Sequence, residues 1–474
     1  MNKFLDKTFG VSKSGSTVKT EIVAGLTTFF AMCYIVLVNP AQITGMLEGT
    51  ESMWNAVFLG GTLAAIIGTL LMAFLAKMPF AQAASMGLNS FFFVSFVLPA
   101  ALSGADPVEG YQAGLVIILI SGIIFMILSA TGLREKITVA LPDCLKKSMS
   151  AGLGLFIALL GFKSAGIIVG DQYTMVTLTD FTQWSLAAPA LAAFLGFLVL
   201  AVLAKKKVKG SIILGILASA LFYYVFTWSL PTWDPTPMGT MINDFFEIGL
   251  SAVFKPESWV NAFGAEYIGG IFSAIMLIIT YCLVDMFDTV GTLYGAASEA
   301  NMIDEKGNPY RLEQCMLCDS IATLSGAVLG TSTITTFAES TAGVAAGGRT
   351  GLASLVTALC FVVCLFISPI ALLIPVAATA PALIYVGVLM LKNFAQVDMH
   401  DINSAVPAFL TLIMMPLTYS IANGIGIGAI SYVILQLLTG KFTKKDILVS
   451  IIAVLFVLRF AFVFTGTLIP APIA

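Results

Sequence analysis

Two acids stand where the surrounding chain reads as membrane. Glu339 lies in "TSTITTFAEST", residues 331–341, between two long apolar runs, and Asp288 lies in "CLVDMFDTVGTLYG", residues 282–295. Ionisable groups inside a membrane span are costly and as a rule face the interior of the bundle. In the second stretch Asp285, Asp288, Thr289 and Thr292 follow one another at i, i+3, i+4 and i+7, so a helix puts all four on one face. Glu339 has no basic residue near it, the next being Arg349 at the far end of the run. A carboxyl group without a basic partner in low dielectric favours its protonated form. Once protonated it donates one hydrogen bond and keeps acceptor capacity. Asp288 and Glu339 can therefore offer acceptors to the ring N–H groups of a neutral heterocycle, and can take up and release a proton as water comes and goes. For Asp285 a structural partner or a near-surface place is as good a reading as a place in the site.

The elements that must hold these acids are membrane spans. The chain has 474 residues, of which 58% are hydrophobic and 10% charged, with a mean hydropathy of +0.98. Soluble domains sit near half apolar and about a quarter charged. The net charge of −3 says nothing about nucleic acid, and with no basic block or arginine-rich tail no nucleic-acid partner is expected. Cys315-Met-Leu-Cys318 is a lone CxxC among seven cysteines, and His400 is the single histidine, so neither a zinc site nor another metal or cofactor is expected. His400 sits in "DMHDIN" without a partner in a span, which leaves no nucleophile and base for an enzyme. The first 19 residues are polar, carry Lys3, Lys7, Lys13 and Lys19, and do not read as a cleavable signal.

A helix needs roughly 20 apolar residues to cross a bilayer. The runs predict spans near 20–43, 54–76, 112–132, 145–169, 186–204, 209–228, 266–293, 312–331, 351–375, 379–395, 404–420, 422–440 and 446–468, with interrupted segments at 79–99 and 331–349. With the amino terminus in the cytoplasm and both interrupted segments counted as crossings, 20 of the 23 Lys and Arg fall on the cytoplasmic side, leaving out Lys163, Lys255 and Arg459. That makes fourteen crossings up to residue 440. The run 446–468, with Arg459 inside it, either spans or lies against the bundle.

Fourteen crossings divide into seven and seven, and an odd number forces the second half to enter the membrane in the opposite sense, as in an inverted repeat. The third crossing of each half is the interrupted one: "MPFAQAASMGLNSFFFVSF" and "GTSTITTFAESTAGVAAGG". Backbone that is not helical cannot face hydrocarbon with unpaired N–H and C=O groups. Both stretches are therefore expected to line a cavity near the midplane, with half-helices aiming their N-terminal ends into it. The site so predicted runs from Ser85 to Ser90 on one side and from Thr335 to Ser340 on the other. Single stretches of this kind also read as Gly- and Ser-rich helices kept small for packing. Of Phe91, Phe92 and Phe93 at most one can stack on a ligand. "AGGRTG" lacks the phosphate-loop pattern, and "KKKVKG" reads as a cytoplasmic topology anchor.

Several of these stretches occur together and in order in a known family. "EIVAGLTTFFAMCYIVLVNP" (21–40), "SMGLNSFF" (85–92), "DMFDTVGTLYG" (285–295), "STITTFAESTAGVAAGGRTGL" (332–352), "APALIYVGVLML" (380–391) and "AVPAFLTLIMMPLTYSIANGIGIG" (405–428) resemble the AzgA-like purine permease branch of the nucleobase:cation symporter-2 family. The resemblance covers residues 20–440 and implies an all-α polytopic membrane protein of the uracil-permease type: seven plus seven inverted crossings, with two short antiparallel strands at the midplane and half-helices in crossings three and ten. It implies a cytoplasmic N-terminus (1–19), a core domain (20–132 and 266–375, crossings 1–4 and 8–11) and a gate domain (145–228 and 379–440, crossings 5–7 and 12–14). An extracytoplasmic loop (229–265) and the added hydrophobic helix 446–468 complete the chain.

The function implied is import of a purine base such as hypoxanthine, guanine or adenine across the cell membrane with H⁺ as coupling ion, by a multi-pass protein with a cytoplasmic N-terminus. A homodimer through the gate domain is implied as well. Carried over by motif, Asp288 and Glu339 hold the base and couple the proton, Asn89 stands opposite, and Thr28 lines the pocket. Thr336 and Ser340 belong to the crossing-ten side, and Asp285, Thr289 and Thr292 form a supporting polar face. Where the branch usually has Gly before "MGLN", this chain has Ser85, a side chain that narrows the pocket or adds a hydrogen bond. The same fold also carries anions, the alternative reading, against which the two acids argue.

Overall fold

A membrane span that stops being helical must pair its backbone with something else. In the computed structural model the two interrupted segments do so with each other. It describes all residues except 1, 132–141, 172–173, 207, 209, 232–237, 265–267, 300–301, 303–308, 367–372 and 465–474. Arg134, Lys136, Lys207, Lys209 and Lys306, which count toward the predicted orientation, lie outside the described residues, as do parts of the segments 229–265 and 266–375 and the end of the run 446–468.

In chain order α1 (Asn2–Phe9) precedes a first crossing split into α2 (Val18–Met32) and α3 (Ile35–Thr44), followed by α4 (Glu51–Leu71). The third crossing is β1 (Gln82–Ala84), α5 (Met86–Phe92) and, after a π-helical stretch, α6 (Leu98–Ser103). Next come α7 (Pro107–Ala130) and α8 (Asp143–Ser164). An exposed hairpin, β2 (Ile168–Asp171) and β3 (Met175–Leu178), leads to α9 (Trp184–Lys205) and α10 (Ser211–Thr227). Short helices α11 (Met238–Asp244) and α12 (Pro256–Phe263) connect to the long α13 (Gly270–Glu299) and to α14 (Leu312–Leu329). The tenth crossing is β4 (Ile334–Thr336) and α15 (Ser340–Ala345). Then follow α16 (Gly351–Cys364), α17 (Val376–Leu391), α18 (Ile402–Leu417), α19 (Ile421–Leu438) and α20 (Ile447–Phe464). Among the described residues eight helical segments are long and apolar enough to cross a membrane, with shorter apolar helices between them. Their outward faces carry exposed Phe30, Phe74, Ile127, Leu221, Val363, Phe409 and Leu437, which suits a lipid-facing surface.

The strands β1 and β4 run antiparallel, with Gln82 opposite Thr336, Ala83 opposite Thr335 and Ala84 opposite Ile334. A two-stranded ribbon leaves both outer edges unpaired, and neighbouring side chains fill them. Thr69 of α4 receives the Gln82 N–H at 3.0 Å and donates to its carbonyl at 3.1 Å. On the other edge Asp319 of α14 accepts from the Thr336 N–H at 3.0 Å, and the Thr323 hydroxyl donates to the Ile334 carbonyl at 2.9 Å. Buried backbone groups left without such partners cost free energy comparable to a lost hydrogen bond.

The helices pack into two groups. One holds α2, α4, α7, α14 and α16 around the ribbon; the other holds α8, α9, α10, α17, α18 and α19. Close approach within the first group depends on missing side chains: a Cβ on Gly25 would strike the Ala353 carbonyl, and one on Gly60 the Leu329 carbonyl. Small residues at such crossings are the usual means of packing helices without a hydrophobic drive. The added helix α20 packs along α19 and touches α13, with Val449, Ile452, Ala453 and Phe456 buried. Within 229–265 the described residues are largely helical, and Met241 and Phe245 are buried.

Candidate functional site

Between the two groups lies a cavity of about 800 Å³. One wall is the ribbon and what flanks it: Thr27 and Ala31 of α2, Ser85 to Gly87 at the β1–α5 junction, Asp288 and Thr292 of α13, and Thr335 to Glu339. The facing wall comes from α8, α10 and α17, including Ser150, Ser211 and Tyr385. Among the described lining residues Lys392 is the one cation, and it is exposed.

Glu339 occupies the residue before α15, half-buried on the cavity. Its Oε1 accepts from the Tyr34 hydroxyl at 2.5 Å. Tyr34 is fully buried at the break between α2 and α3. Asp288 is half-buried, and its Oδ2 accepts from the Ser85 hydroxyl at 3.1 Å. The thirty-residue α13 runs on past Asp288 to Glu299, so the acid sits well inside the helix and not at its end. The polar face of α13 splits into two i,i+4 ridges. Asp288 and Thr292 point to the cavity, where the Thr292 hydroxyl donates to the Asp288 carbonyl at 3.0 Å. Asp285 and Thr289 turn to α14: Thr323 donates to Asp285 Oδ2 at 3.1 Å, and Thr289 to Asp319 Oδ2 at 2.5 Å.

The profile of the permease family, Xan_ur_permease, matches residues 19–427. The chain belongs to this permease family. It is 37% identical to the putative permease MJ0326 of Methanocaldococcus jannaschii, over 97% of this chain and 99% of that one. To the adenine permease AdeP of Escherichia coli (strain K12) it is 36% identical, over 97% and 96%. To the guanine/hypoxanthine permease PbuG of Bacillus subtilis (strain 168) it is 38% identical, over 96% and 99%. Among solved structures, the transmembrane domain of the cyanobacterial bicarbonate transporter BicA superposes with a TM-score of 0.59 at 14% identity, covering 85% of this chain and 97% of that one. The murine Slc26a9 anion transporter in the inward-facing state gives 0.58 at 12%, covering 93% and 72%. At such identity the likeness is one of fold alone.

Within the permease, the residues expected at the site separate. Asp288, Glu339, Thr292 and Thr336 line the cavity; Asn89, Thr28 and Ser340 lie behind it. Asn89 is fully buried and donates to Asn39 Oδ1 at 2.9 Å, while the Ser332 hydroxyl donates to Asn89 Oδ1. Ser340 accepts the Ala81 N–H at 3.0 Å and so holds the ribbon. Thr28 packs against Gly343 of α15, and its neighbour Thr27 takes the cavity position. Phe91 and Phe92 pack on Tyr281 and Phe96, with ring centroids 4.9 and 5.0 Å apart, and the aromatic rings on the cavity are Phe337 and Tyr385 instead.

Sequence reasoning missed Tyr34 and Asp319. A tyrosine in an apolar run looks like packing. Asp319 carried a usable signal, an acid inside the ninth crossing, which the rule applied to Asp288 would have caught.

Proposed function

We propose that this permease imports purine nucleobases by proton-coupled alternating access. The supporting observation is that carboxyl groups from two different crossings, Asp288 and Glu339, share one cavity at the seam between the two helix groups. Near-full-length relatives named as adenine and guanine/hypoxanthine permeases supply the substrate class. In this reading the helices around the ribbon are the core that carries the base, and the other group is the gate against which it moves. The base docks on the acids through ring N–H donors, and one acid gains a proton with the base and releases it inside. The cavity wall includes Ala204, which precedes Lys205 and Lys206, and Lys392, so by the positive-inside rule it opens to the cytoplasm. An anion as cargo would meet two carboxyl groups and, among the described lining residues, no buried cation, and the shared fold with anion transporters does not decide cargo.

The test is uptake of radiolabelled hypoxanthine, guanine and adenine in a strain lacking its own carriers, with and without a protonophore. Accumulation that a protonophore collapses is the expected result. Uptake of none of the three bases above the empty strain would overturn the substrate class, and accumulation indifferent to the protonophore would overturn the coupling.

A further inference from the structure

Each of the two acids is held by one hydroxyl, and the two hydroxyls come from different crossings. Tyr34, at the break in crossing one, donates to Glu339 Oε1 at 2.5 Å; Ser85, at the start of α5 in crossing three, donates to Asp288 Oδ2 at 3.1 Å. Among the described residues no other residue donates to Glu339 Oε2 or Asp288 Oδ1. A carboxylate accepts through two oxygens. With one oxygen of each tied back, the pair offers the cavity two outward acceptors at fixed places.

We propose that Tyr34 and Ser85 are positioning residues that set which oxygen of Glu339 and of Asp288 faces the substrate. This rests on the reading of the site as one for a purine base, and it deepens it. The ligand that fits must present two N–H donors on separate edges, one toward each acid, and the spacing of the two acceptors sorts heterocycles by where their donors lie. Tyr34 suits the task because it is wholly buried, so its ring cannot swing. Ser85 suits it because it is the N-cap residue of α5, with extended backbone (φ −68°, ψ 115°), and so is fixed by the ribbon. Freed of its hydroxyl, either acid can rotate, and a rotated acceptor misses the donor it was aimed at. The loss falls on binding equally in ground state and transit, so it shows in KM and not in the maximal rate.

The experiment compares initial rates of hypoxanthine, guanine and adenine uptake by Tyr34→Phe, Ser85→Ala and Ser85→Thr, each normalised to the amount of protein in the membrane. For Tyr34→Phe and Ser85→Ala we expect KM to rise about tenfold, the size of one hydrogen bond to a charged group, with an unchanged maximal rate. The ranking of the three bases changes in at least one of these variants. Ser85→Thr keeps a hydroxyl and restores the original KM and ranking. Unaltered KM in both hydroxyl-less variants overturns the proposal, as does a fall in maximal rate alone, or Ser85→Thr behaving like Ser85→Ala. Should Tyr34→Phe fail to reach the membrane, the Ser85 pair decides. If the unaltered protein takes up none of the three bases, the purine reading fails and the proposal with it; if it takes them up and the variants match it, the proposal alone fails.

Discussion

Glu339 presents the coupling question in its smallest form, because replacing it by glutamine keeps its length and its acceptor for the Tyr34 hydroxyl while removing the titrating proton. If Glu339 is the coupling group, Glu339→Gln should lose protonophore-sensitive accumulation by about tenfold or more and still exchange external for internal base. Counterflow from preloaded vesicles separates the two. An exchange rate that falls as far as accumulation would assign Glu339 to binding and leave coupling to Asp288. Both acids were legible in the sequence, since a charge in an apolar run stands out whatever the fold. Their hydroxyl partners were not. Serine and tyrosine are common in spans, and pairing Tyr34 with Glu339 takes a contact across 305 residues of chain. Asn89 and Thr28 were placed by motif and Ser340 by the run of the interrupted segment, and each of these fixes the segment but not the direction of a side chain within it.

The elements owe their arrangement to polar ties at places where helices stop. Glu21, fully buried in α2, accepts from the backbone N–H of Arg349 at 2.9 Å and of Thr350 at 3.2 Å, the turn that starts α16. Glu21→Ala leaves two N–H groups without that partner, at about 1–3 kcal/mol for each that stays dry. We expect the melting temperature of the detergent-solubilised protein to fall by several degrees; an unchanged melting temperature would mean that water replaces the carboxylate. Gly343 tests packing at the same level. A Cβ there runs into Thr28 and the Ala24 carbonyl, whereas one on Gly239 of α11 meets nothing. Gly343→Ala should push α15 from α2 and reduce uptake severalfold, with Gly239→Ala equal to the unaltered protein; equal uptake by both would show that α15 has room to shift. At this scale the interruptions of crossings three and ten were legible, because Ser, Thr and Gly replace bulk there. The break at Cys33–Tyr34 was not, since neither residue is a turn former and only the tertiary setting splits the helix.

For the whole molecule the pattern of apolar runs and basic ends carried the architecture, and the residues themselves hardly mattered: a bicarbonate transporter domain 14% identical to this chain keeps the same fold. Pattern alone does not say which way the seam is open. The described cavity reaches Ser211, beside the basic stretch at 205–206, while Asn39 and Gln42 of α3 bond to Asn89 and Ser90 of α5. If that arrangement is the inward-open state, access to the cavity belongs to the cytoplasm. Seven native cysteines, all buried or half-buried, are first replaced so that a single new thiol can report. In intact cells Ser211→Cys is then expected to react with a membrane-permeant maleimide and to resist a charged, impermeant one. Ser150→Cys, on α8 of the facing wall, should react in the same way and be shielded by saturating base. Reaction of Ser211→Cys with the impermeant reagent from outside would reverse the orientation, and labelling of Ser150→Cys unaffected by any base would take the substrate out of this cavity. Shielding at Ser150 with none at Ser211 is the outcome that alternating access requires, because the base then sits at the ribbon and leaves the mouth wet until the two groups slide.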